Sequence, residues 1–179
     1  VARALDTGAQ GVIIPRVETR EQVEAAVSYA KYPPIGRRGA GGDGRTAFEA
    51  MSVKDAVDFL NDETLVIVQI ESQAGLDAIE DIASVPHLDV VLIGPQDLSI
   101  SLGLHGEFTH PDFVEALREV VTACAKHGVS TGMVERSAAS HQRWVDLGMQ
   151  FLVTNTDANM IYQAAANDVA TIRAFRKDA

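Results

Sequence analysis

The sequence predicts an α/β fold built on a parallel β-sheet. Five short apolar runs alternate along the chain with helical segments, which is the pattern of repeated βα units. Each run is continuously apolar rather than alternating, as expected for strands that are covered on both faces. No proline-rich or low-complexity linker divides the 179 residues, so we expect a single domain over residues 1–179.

The predicted strands are the apolar runs at residues 11–15, 64–70, 89–93, 129–134 and 150–154. Capping and breaking residues predict helices at residues 19–32, 52–60, 74–85, 110–128 and 137–147, a short turn at 98–102, and a last helix reaching about residue 176. Thr19 and Gln22 stand in capping-box positions, and Ser52 caps the next helix with Asp55. Residues 1–6 read as the end of a helix, so we expect that chain precedes Val1.

Composition argues against several classes of function. The net charge of −10 comes with no basic stripe, so a nucleic-acid-binding surface is not expected. No apolar run approaches the roughly 20 residues that cross a bilayer, and no signal peptide is visible, so a cytoplasmic protein is expected by default. The one cysteine, Cys124, excludes an intrachain disulfide, and its helical spacing from Leu117 and Val120 predicts a core position.

Two arrangements of the sheet compete. A doubly wound open sheet of five strands would be complete at this length, whereas a (β/α)₈ TIM barrel needs roughly 250 residues. A dinucleotide-binding open sheet should carry a glycine-rich turn after its first strand, but that strand is followed by Arg16 and Val17. The glycine cluster at residues 36–44 follows a helix instead, which weakens the open-sheet interpretation. The arginines of this loop could meet an anionic substrate or be solvated: Arg37, Arg38 and Arg45.

Polar or charged residues follow every apolar run at its C-terminal end, as a barrel with its active site on that face predicts. Glu71 and Asp97 are the sharpest pair, because each follows one of two neighbouring strands. Two such carboxylates suit Mg²⁺ or Mn²⁺ and leave open positions for a chelating substrate. The alternative is that both are ordinary loop acids, with Asp97 capping the turn that follows it.

The turn from Gly94 to Asp97 opens a short helix, so the backbone N–H groups of Gln96 and Asp97 could hold an anion such as a substrate carboxylate. Other candidate residues have more ordinary roles. We expect His127 at a helix end, His141 on a surface helix and Trp144 in packing.

Four stretches carry a resemblance that covers nearly the whole chain in order. They are residues 5–15 (LDTGAQGVIIP), 32–39 (YPPIGRRG), 68–71 (VQIE) and 93–99 (IGPQDLS), the last followed by SLG at 101–103. Together they resemble the HpcH/HpaI aldolase family, the class II pyruvate-dependent aldolases. The resemblance implies a (β/α)₈ TIM barrel of which this chain holds roughly the last five βα units, with the first three strands before Val1.

The resemblance also implies roles for residues at the strand ends. Glu71 and Asp97 match the two metal carboxylates of the family, and Gln69 matches a polar residue that lines the site. The amides of Gln96 and Asp97 would hold the pyruvate carboxylate, although many members have a small residue such as alanine where Gln96 stands. Val134 falls where an apolar residue shapes the pocket for the aldehyde.

Three further expectations concern what lies at the margins of that site. Arg45 matches an arginine of a loop that reaches towards the site. The family's histidine for proton transfer and its enolate-steadying arginine would both lie before Val1, so no catalytic residue is expected within this chain. Asn155 to Asp157 stand where a glycine-containing turn is commoner.

By resemblance, the expected activity is that of a divalent-metal-dependent aldolase. It would cleave a 4-hydroxy-2-oxo acid to pyruvate and an aldehyde through a metal-stabilised enolate, with Mg²⁺, Mn²⁺ or Co²⁺ as the ion. One alternative keeps the fold but acts on acyl-CoA thioesters of the malyl-CoA type, as citrate-lyase-like enzymes do. Another is an inactive fragment that lacks the first barrel strands. Homo-oligomers, trimers or hexamers with exchanged C-terminal helices at residues 157–175, are expected, and neither nucleic acid nor membrane is.

Overall fold

Five parallel strands form one curled sheet in this computed structural model, which describes residues 1–41 and 51–175. The strands are β1 (Gly11–Ile14), β2 (Leu65–Ile70), β3 (Val90–Ile93), β4 (Ser130–Glu135) and β5 (Phe151–Thr154). Each strand pairs with the next one along the chain, so the sheet order is β1-β2-β3-β4-β5. This is the order of a barrel wall, and the α/β prediction is confirmed.

Nine α-helices lie among the described residues. They are α1 (Ala2–Asp6), α2 (Arg20–Ala30), α3 (Val53–Glu63), α4 (Gln73–Asp77), α5 (Ile79–Ala83), α6 (Pro95–Ser101), α7 (Pro111–Lys126), α8 (Gln142–Leu147) and α9 (Asp157–Ala174). The capping box of α2 is confirmed, because the Thr19 hydroxyl accepts from the Gln22 amide while the Gln22 side chain accepts from the Thr19 amide. No helix in the described part of the chain is long and apolar enough to cross a membrane.

The sheet is apolar on both faces, which explains why its strands appear in the sequence as continuous apolar runs. On β2, Val66, Val68 and Ile70 alternate into the core under the helices. Ile67 belongs instead to a second cluster on the other face, together with residues of the three following strands. Only one face of the sheet is therefore covered by the helices of the described chain, and the concave face carries its own apolar layer.

Two helices differ from the sequence prediction because their breaks have no local breaker residue. Residues 74–85 form α4 and α5, which meet at Ala78 with a ψ of 6°. At Gly75 in α4 a Cβ would lie 2.8 Å from the Val17 carbonyl oxygen, so this first turn is fitted against the segment after β1. Residues 137–147 begin with a 3₁₀ turn (Ala138–His141) before α8. The short helix α6 begins at Pro95, earlier than predicted.

Two side chains lie elsewhere than predicted. His141, the last residue of the 3₁₀ turn, is buried rather than on a surface helix. Arg38 is also buried, forms an ion pair with Asp6 at 2.6 Å and stacks over the Tyr32 ring. Asp6 ends α1 just before β1, at the amino-terminal edge of the sheet, so Arg38 does not meet a substrate at the opposite edge. The core positions predicted for Cys124 and Trp144 are confirmed.

Candidate active site

A cavity of about 510 Å³ opens at the carboxyl-terminal edge of the sheet, above β2 to β5. Its walls come from the residues that follow four successive strands: Gln69, Glu71, Gly94, Pro95, Gln96, Asp97, Phe108, Val134, Glu135, Arg136, Asn155, Thr156 and Asn159. The sequence-predicted residues at positions 69, 71, 96, 97 and 134 therefore share one cavity. Arg45 lies outside the described residues, so its predicted contribution is not tested.

Glu71 sits over the end of β3 because residue 94 has no side chain. A Cβ on Gly94 would lie 2.6 Å from both Cγ and Oε1 of Glu71, and 2.7 Å from Nε2 of Gln69. These distances are too short for any real Cβ, so a larger residue would displace both side chains. Gly94 thus holds open the space in which the carboxylate of Glu71 and the carboxamide of Gln69 meet.

Arg16 bridges the two acids, and the sequence analysis assigned it no role. Its backbone lies in the left-handed region with a φ of 54°, and its N–H donates to Oε2 of Glu71 at 3.0 Å. Its guanidinium Nη2 lies 3.7 Å from Oδ1 of Asp97. The only available signal was its place directly after the Pro15 that follows β1, since 55 residues separate Arg16 from Glu71.

The electrostatics of the acid pair suit a cation. Burial raises the pKa of Glu71 above its ordinary value, the hydrogen bond from the Arg16 amide opposes that rise, and the charge of Asp97 adds to it. Arg16 neutralises the pair only loosely, because its side chain is 77% exposed and that of Asp97 is 52% exposed. Two carboxylates that repel each other beside a solvated guanidinium form a site that a small divalent ion would stabilise.

The donor chemistry of the cavity fits a hard ion with a partly open coordination sphere. Within residues 1–41 and 51–175, no group of three or more His, Cys, Asp or Glu side chains could hold a metal ion. Two carboxylates are nevertheless the kind of partial ligand set that Mg²⁺ accepts, since it retains several waters and takes further oxygens from a substrate. The carboxylates of Glu71 and Asp97 and the open cavity beside them meet that requirement.

The first turn of α6 presents backbone donors to the same space. Gly94 precedes the helix, and the first intrahelical hydrogen bond runs from the Leu98 amide to the Gly94 carbonyl. The amides of Gln96 and Asp97 come before that bond, so neither has an intrahelical acceptor. They are available to an anionic oxygen in the cavity.

Glu135, at the end of β4, is used in packing. Its Oε1 accepts hydrogen bonds from Arg143 Nη2 at 2.9 Å and from Trp144 Nε1 at 2.8 Å. The side chain of Glu135 is only 12% exposed, and the Arg143 guanidinium also stacks over the Trp144 ring. This acid is therefore neutralised within the wall, unlike Glu71 and Asp97.

The segments that follow β4 and β5 contribute four polar residues for which the sequence predicted no binding role: Arg136, Asn155, Thr156 and Asn159. Asn155 has a φ of 56°, and its Oδ1 accepts from the Thr156 amide at 2.8 Å and from Asn159 Nδ2 at 2.6 Å. The left-handed backbone explains how asparagine stands where a glycine was expected, because asparagine tolerates this conformation better than most residues. Arg136 is exposed on the same wall.

Comparison with known proteins gives consistent results. A family model described as HpcH/HpaI aldolase/citrate lyase matches residues 1–164. A hydroxypyruvate/pyruvate aldolase from Chromohalobacter salexigens is 34% identical over 95% of this chain and 67% of its own length. A 5-keto-4-deoxy-D-glucarate aldolase from Shigella sonnei is 33% identical over 95% of this chain and 66% of its own. The chain thus spans about two thirds of the length of these curated relatives.

A solved structure agrees with the fold. The crystal structure of an HpcH/HpaI aldolase from Desulfitobacterium hafniense superimposes with a TM-score of 0.90 at 36% sequence identity. The match covers 97% of this chain and 67% of that one. The fold of the described residues is therefore that of a known HpcH/HpaI aldolase structure.

Proposed function

Because this chain belongs to the HpcH/HpaI aldolase/citrate lyase family, we propose that it carries the metal- and pyruvate-binding part of a divalent-metal-dependent aldolase. The enzyme would cleave a 4-hydroxy-2-oxo acid to pyruvate and an aldehyde, and would run the reverse addition. One observation carries the proposal. Glu71 and Asp97, from the ends of neighbouring strands, face one cavity, and the exposed guanidinium of Arg16 lies 3.7 Å from Asp97.

We further propose that the five strands are the last five βα units of a (β/α)₈ barrel. Their parallel pairing in chain order supports this, as does a related structure of which the chain covers 67%. The first three strands of such a barrel would precede Val1. The histidine and arginine that the family resemblance implies for proton transfer and enolate stabilisation would lie there as well.

The described residues would bind and orient the substrate. Glu71 and Asp97 would hold the divalent ion, Mg²⁺ or Mn²⁺ with Co²⁺ as a further option, which when bound supplies Lewis-acid polarisation of the 2-oxo group. The backbone N–H groups of Gln96 and Asp97 would donate hydrogen bonds to the substrate carboxylate and so fix which end of the substrate enters first. Gln69 would donate from its carboxamide, and Val134 would border the space for the aldehyde.

No histidine lines the described cavity, so we assign no proton transfer to the described residues. These residues would instead orient the 2-oxo acid within the cavity. An oriented substrate gains rate because the entropy of alignment has been lost before the reaction.

The proposal is tested by proton exchange. The purified full-length protein, including the residues proposed to precede Val1, is supplied with Mn²⁺ and pyruvate in D₂O and should replace the methyl protons of pyruvate with deuterium, as followed by NMR. Glu71→Gln and Asp97→Asn should each slow the exchange about 100-fold or more, since each removes a charged ligand. Glu115→Gln, on the exposed face of α7, is the matched control and should exchange at the wild-type rate.

Three results would contradict the proposal. If Glu71→Gln exchanged the pyruvate protons at the wild-type rate, this acid would not hold an ion that the exchange requires. Cleavage of malyl-CoA without cleavage of a free 4-hydroxy-2-oxo acid would assign the protein to the acyl-CoA lyases of the family. Absence of exchange from a folded protein of 19.2 kDa would favour the inactive-fragment alternative.

We also propose a cytoplasmic homo-oligomer, a trimer or hexamer, that associates through α9. Small metabolites such as pyruvate fit that compartment. The helix has no buried residue among those described, although it carries several large apolar side chains. Ile161 is 71% exposed, Ile172 59% and Phe175, directly after the helix, 73%. Such a surface is expected to be covered by another subunit.

A further inference from the structure

We infer that Arg16 competes with the divalent ion for Glu71 and Asp97 and so sets how tightly the site binds its metal. The inference rests on the metal site of the proposed function. It goes beyond that function because it makes metal affinity depend on a residue outside the cavity wall. A guanidinium has donors but no acceptor, so Arg16 is not itself a metal ligand and acts only through the two acids.

Arg16 contacts both acids although it follows a different strand from either of them. It comes after β1, whereas Glu71 follows β2 and Asp97 lies in the first turn of α6 after β3. Because the strands lie in the order β1-β2-β3, the side chain passes the end of β2 to reach Asp97. Its N–H holds Oε2 of Glu71 at 3.0 Å, and its guanidinium Nη2 lies 3.7 Å from Oδ1 of Asp97. One residue thus places a positive charge against the acid pair.

The backbone at Arg16 is fixed, whereas its side chain extends into solvent. The next residue, Val17, is buried and donates its N–H to the Gln69 carbonyl at 3.1 Å. The Arg16 side chain is 77% exposed. The guanidinium can therefore leave Asp97 for water without disturbing the backbone contacts. It then remains tethered close to the acids, as an intramolecular competitor does.

The contact between Arg16 and Asp97 is weak enough to be exchanged for another cation. At 3.7 Å it is an ion pair without a close hydrogen bond, and exposed pairs of this kind contribute little to stability. Glu135 on the same cavity wall is different, because it accepts from Arg143 at 2.9 Å and from Trp144 at 2.8 Å and is mostly buried. Asp97 can therefore change its partner, whereas Glu135 stays paired.

The charge of Arg16 should weaken metal binding. A divalent ion and the guanidinium are both attracted to the same two carboxylates, and their like charges repel each other. The repulsion is moderate because the guanidinium is solvated. Burial raises the pKa of Glu71, while the amide and the charge of Arg16 lower it, so the arginine acts on this acid in the direction that a bound cation would. Removal of the arginine charge should therefore strengthen metal binding.

Binding of Mn²⁺ to the purified full-length protein measures the competition, with EPR of the free ion at low ionic strength. In Arg16→Met the Kd for Mn²⁺ should fall about three- to tenfold, because the competing charge is gone. Arg16→Gly suits the φ of 54° and keeps the N–H that holds Glu71, so it should show a similar fall. In about 0.5 M NaCl the ratio of the wild-type Kd to either variant's Kd should move towards one, since salt screens exposed charges.

Two controls separate the charge of Arg16 from its size and from the net charge of the protein. Arg16→Lys keeps a positive charge at this position and should have a Kd within about twofold of the wild-type value. Arg118→Met removes a positive charge from the exposed face of α7, outside the cavity, and should leave the Kd unchanged. Thermal unfolding of each variant establishes that it is folded.

The sign of the change distinguishes competition from a structural role. An arginine that only held Asp97 in position would weaken metal binding when removed. An unchanged or higher Kd in folded Arg16→Met and Arg16→Gly, or a gain in affinity that salt does not narrow, therefore overturns the inference alone. If the wild-type protein does not bind Mn²⁺, or Glu71→Gln binds it as tightly as the wild type, the proposed function fails and the inference fails with it. A lower Kd that salt brings back towards the wild-type value supports both.

Discussion

Gly94 illustrates how a single missing side chain can position a ligand. Its φ of −93° is open to any residue, so its role is spatial rather than conformational. We predict that Gly94→Ala pushes Glu71 and Gln69 aside, because the added Cβ would lie 2.6 to 2.7 Å from their atoms. Mn²⁺ affinity, measured by EPR of the free ion, should fall about tenfold or more, in line with other residues that orient metal ligands.

Gly39→Ala is the matched control for that change. A Cβ at position 39 would meet no described residue within 4 Å, so the substitution should leave Mn²⁺ binding unchanged. Thermal unfolding should show that both variants fold. Wild-type Mn²⁺ affinity in Gly94→Ala would mean that Glu71 does not need its present position to hold the ion.

The raised pKa of Glu71 makes stability depend on pH in a defined direction. In the metal-free protein the folded state binds this proton more readily than the unfolded chain does, since burial and then the charge of Asp97 disfavour the carboxylate. Stability should therefore fall as pH rises from the ordinary glutamate pKa through the raised folded value. In EDTA at pH 7, Glu71→Gln should raise Tm and flatten the dependence of Tm on pH.

Adding Mn²⁺ should reverse the order of the two Tm values, so that the wild-type protein becomes more stable than Glu71→Gln. Mn²⁺ should raise the Tm of the wild-type protein because it binds the folded state alone, and it should do little for Glu71→Gln. Thermal scans from pH 4 to pH 8, with EDTA and with Mn²⁺, measure both effects. A Tm in EDTA that is lower for Glu71→Gln than for the wild-type protein would contradict a raised pKa of this carboxylate in the folded state.

At the residue scale, the sequence revealed the acids but not their neighbours. Glu71 and Asp97 could be predicted because each follows an apolar run, and strand ends converge at one edge of a parallel sheet. Arg16 and Gly94 could not, since their contacts with Glu71 depend on a three-dimensional approach rather than on a local pattern. For Arg38 the sequence left a substrate contact and a solvated position open, and the structure instead buries this side chain and pairs it with Asp6.

Helix α2 depends on its capping box for a defined start. The Thr19 hydroxyl accepts from the Gln22 amide, and Gln22 Oε1 accepts from the amides of Thr19 and Glu18. We predict that Thr19→Ala lowers the free energy of unfolding by about 1 kcal/mol, because one amide of the first turn loses its acceptor. Urea unfolding measures the change, and Thr19→Ser should stay close to wild type. An unchanged midpoint in Thr19→Ala would show that the cap adds nothing to the docked helix.

Elements with strong local signals were predicted well. Buried parallel strands must be apolar on both faces, so the five apolar runs predict the five strands. The caps of α2 and α3 could be predicted because they depend on hydrogen bonds between residues close in sequence. The break at Ala78 and the 3₁₀ turn before α8 have no comparable signal. Their geometry comes from the fit to neighbouring segments, such as Gly75 against the Val17 carbonyl.

At the scale of the whole molecule, α9 has no buried residue and carries several exposed apolar side chains, which supports a prediction about assembly. We predict that the wild-type protein has three or six times the chain mass by light scattering, and that Ile161→Lys with Ile172→Lys reduces it to one. Charges on a covered apolar face cannot be solvated, so the interface would be lost. Gln163→Lys, an exposed polar position on the same helix, should leave the mass unchanged.

A sheet whose strands neighbour one another in chain order can assemble as the polypeptide leaves the ribosome. Each strand from β2 to β5 finds its partner in the strand made just before it, so no strand waits for a later one to be synthesised. Pairing across short chain separations also lowers the entropy lost in closing each loop. The slowest pairing is then expected between β1 and β2, because the longest stretch of chain separates these two strands. At every stage the strand made last forms the unpaired edge of the sheet.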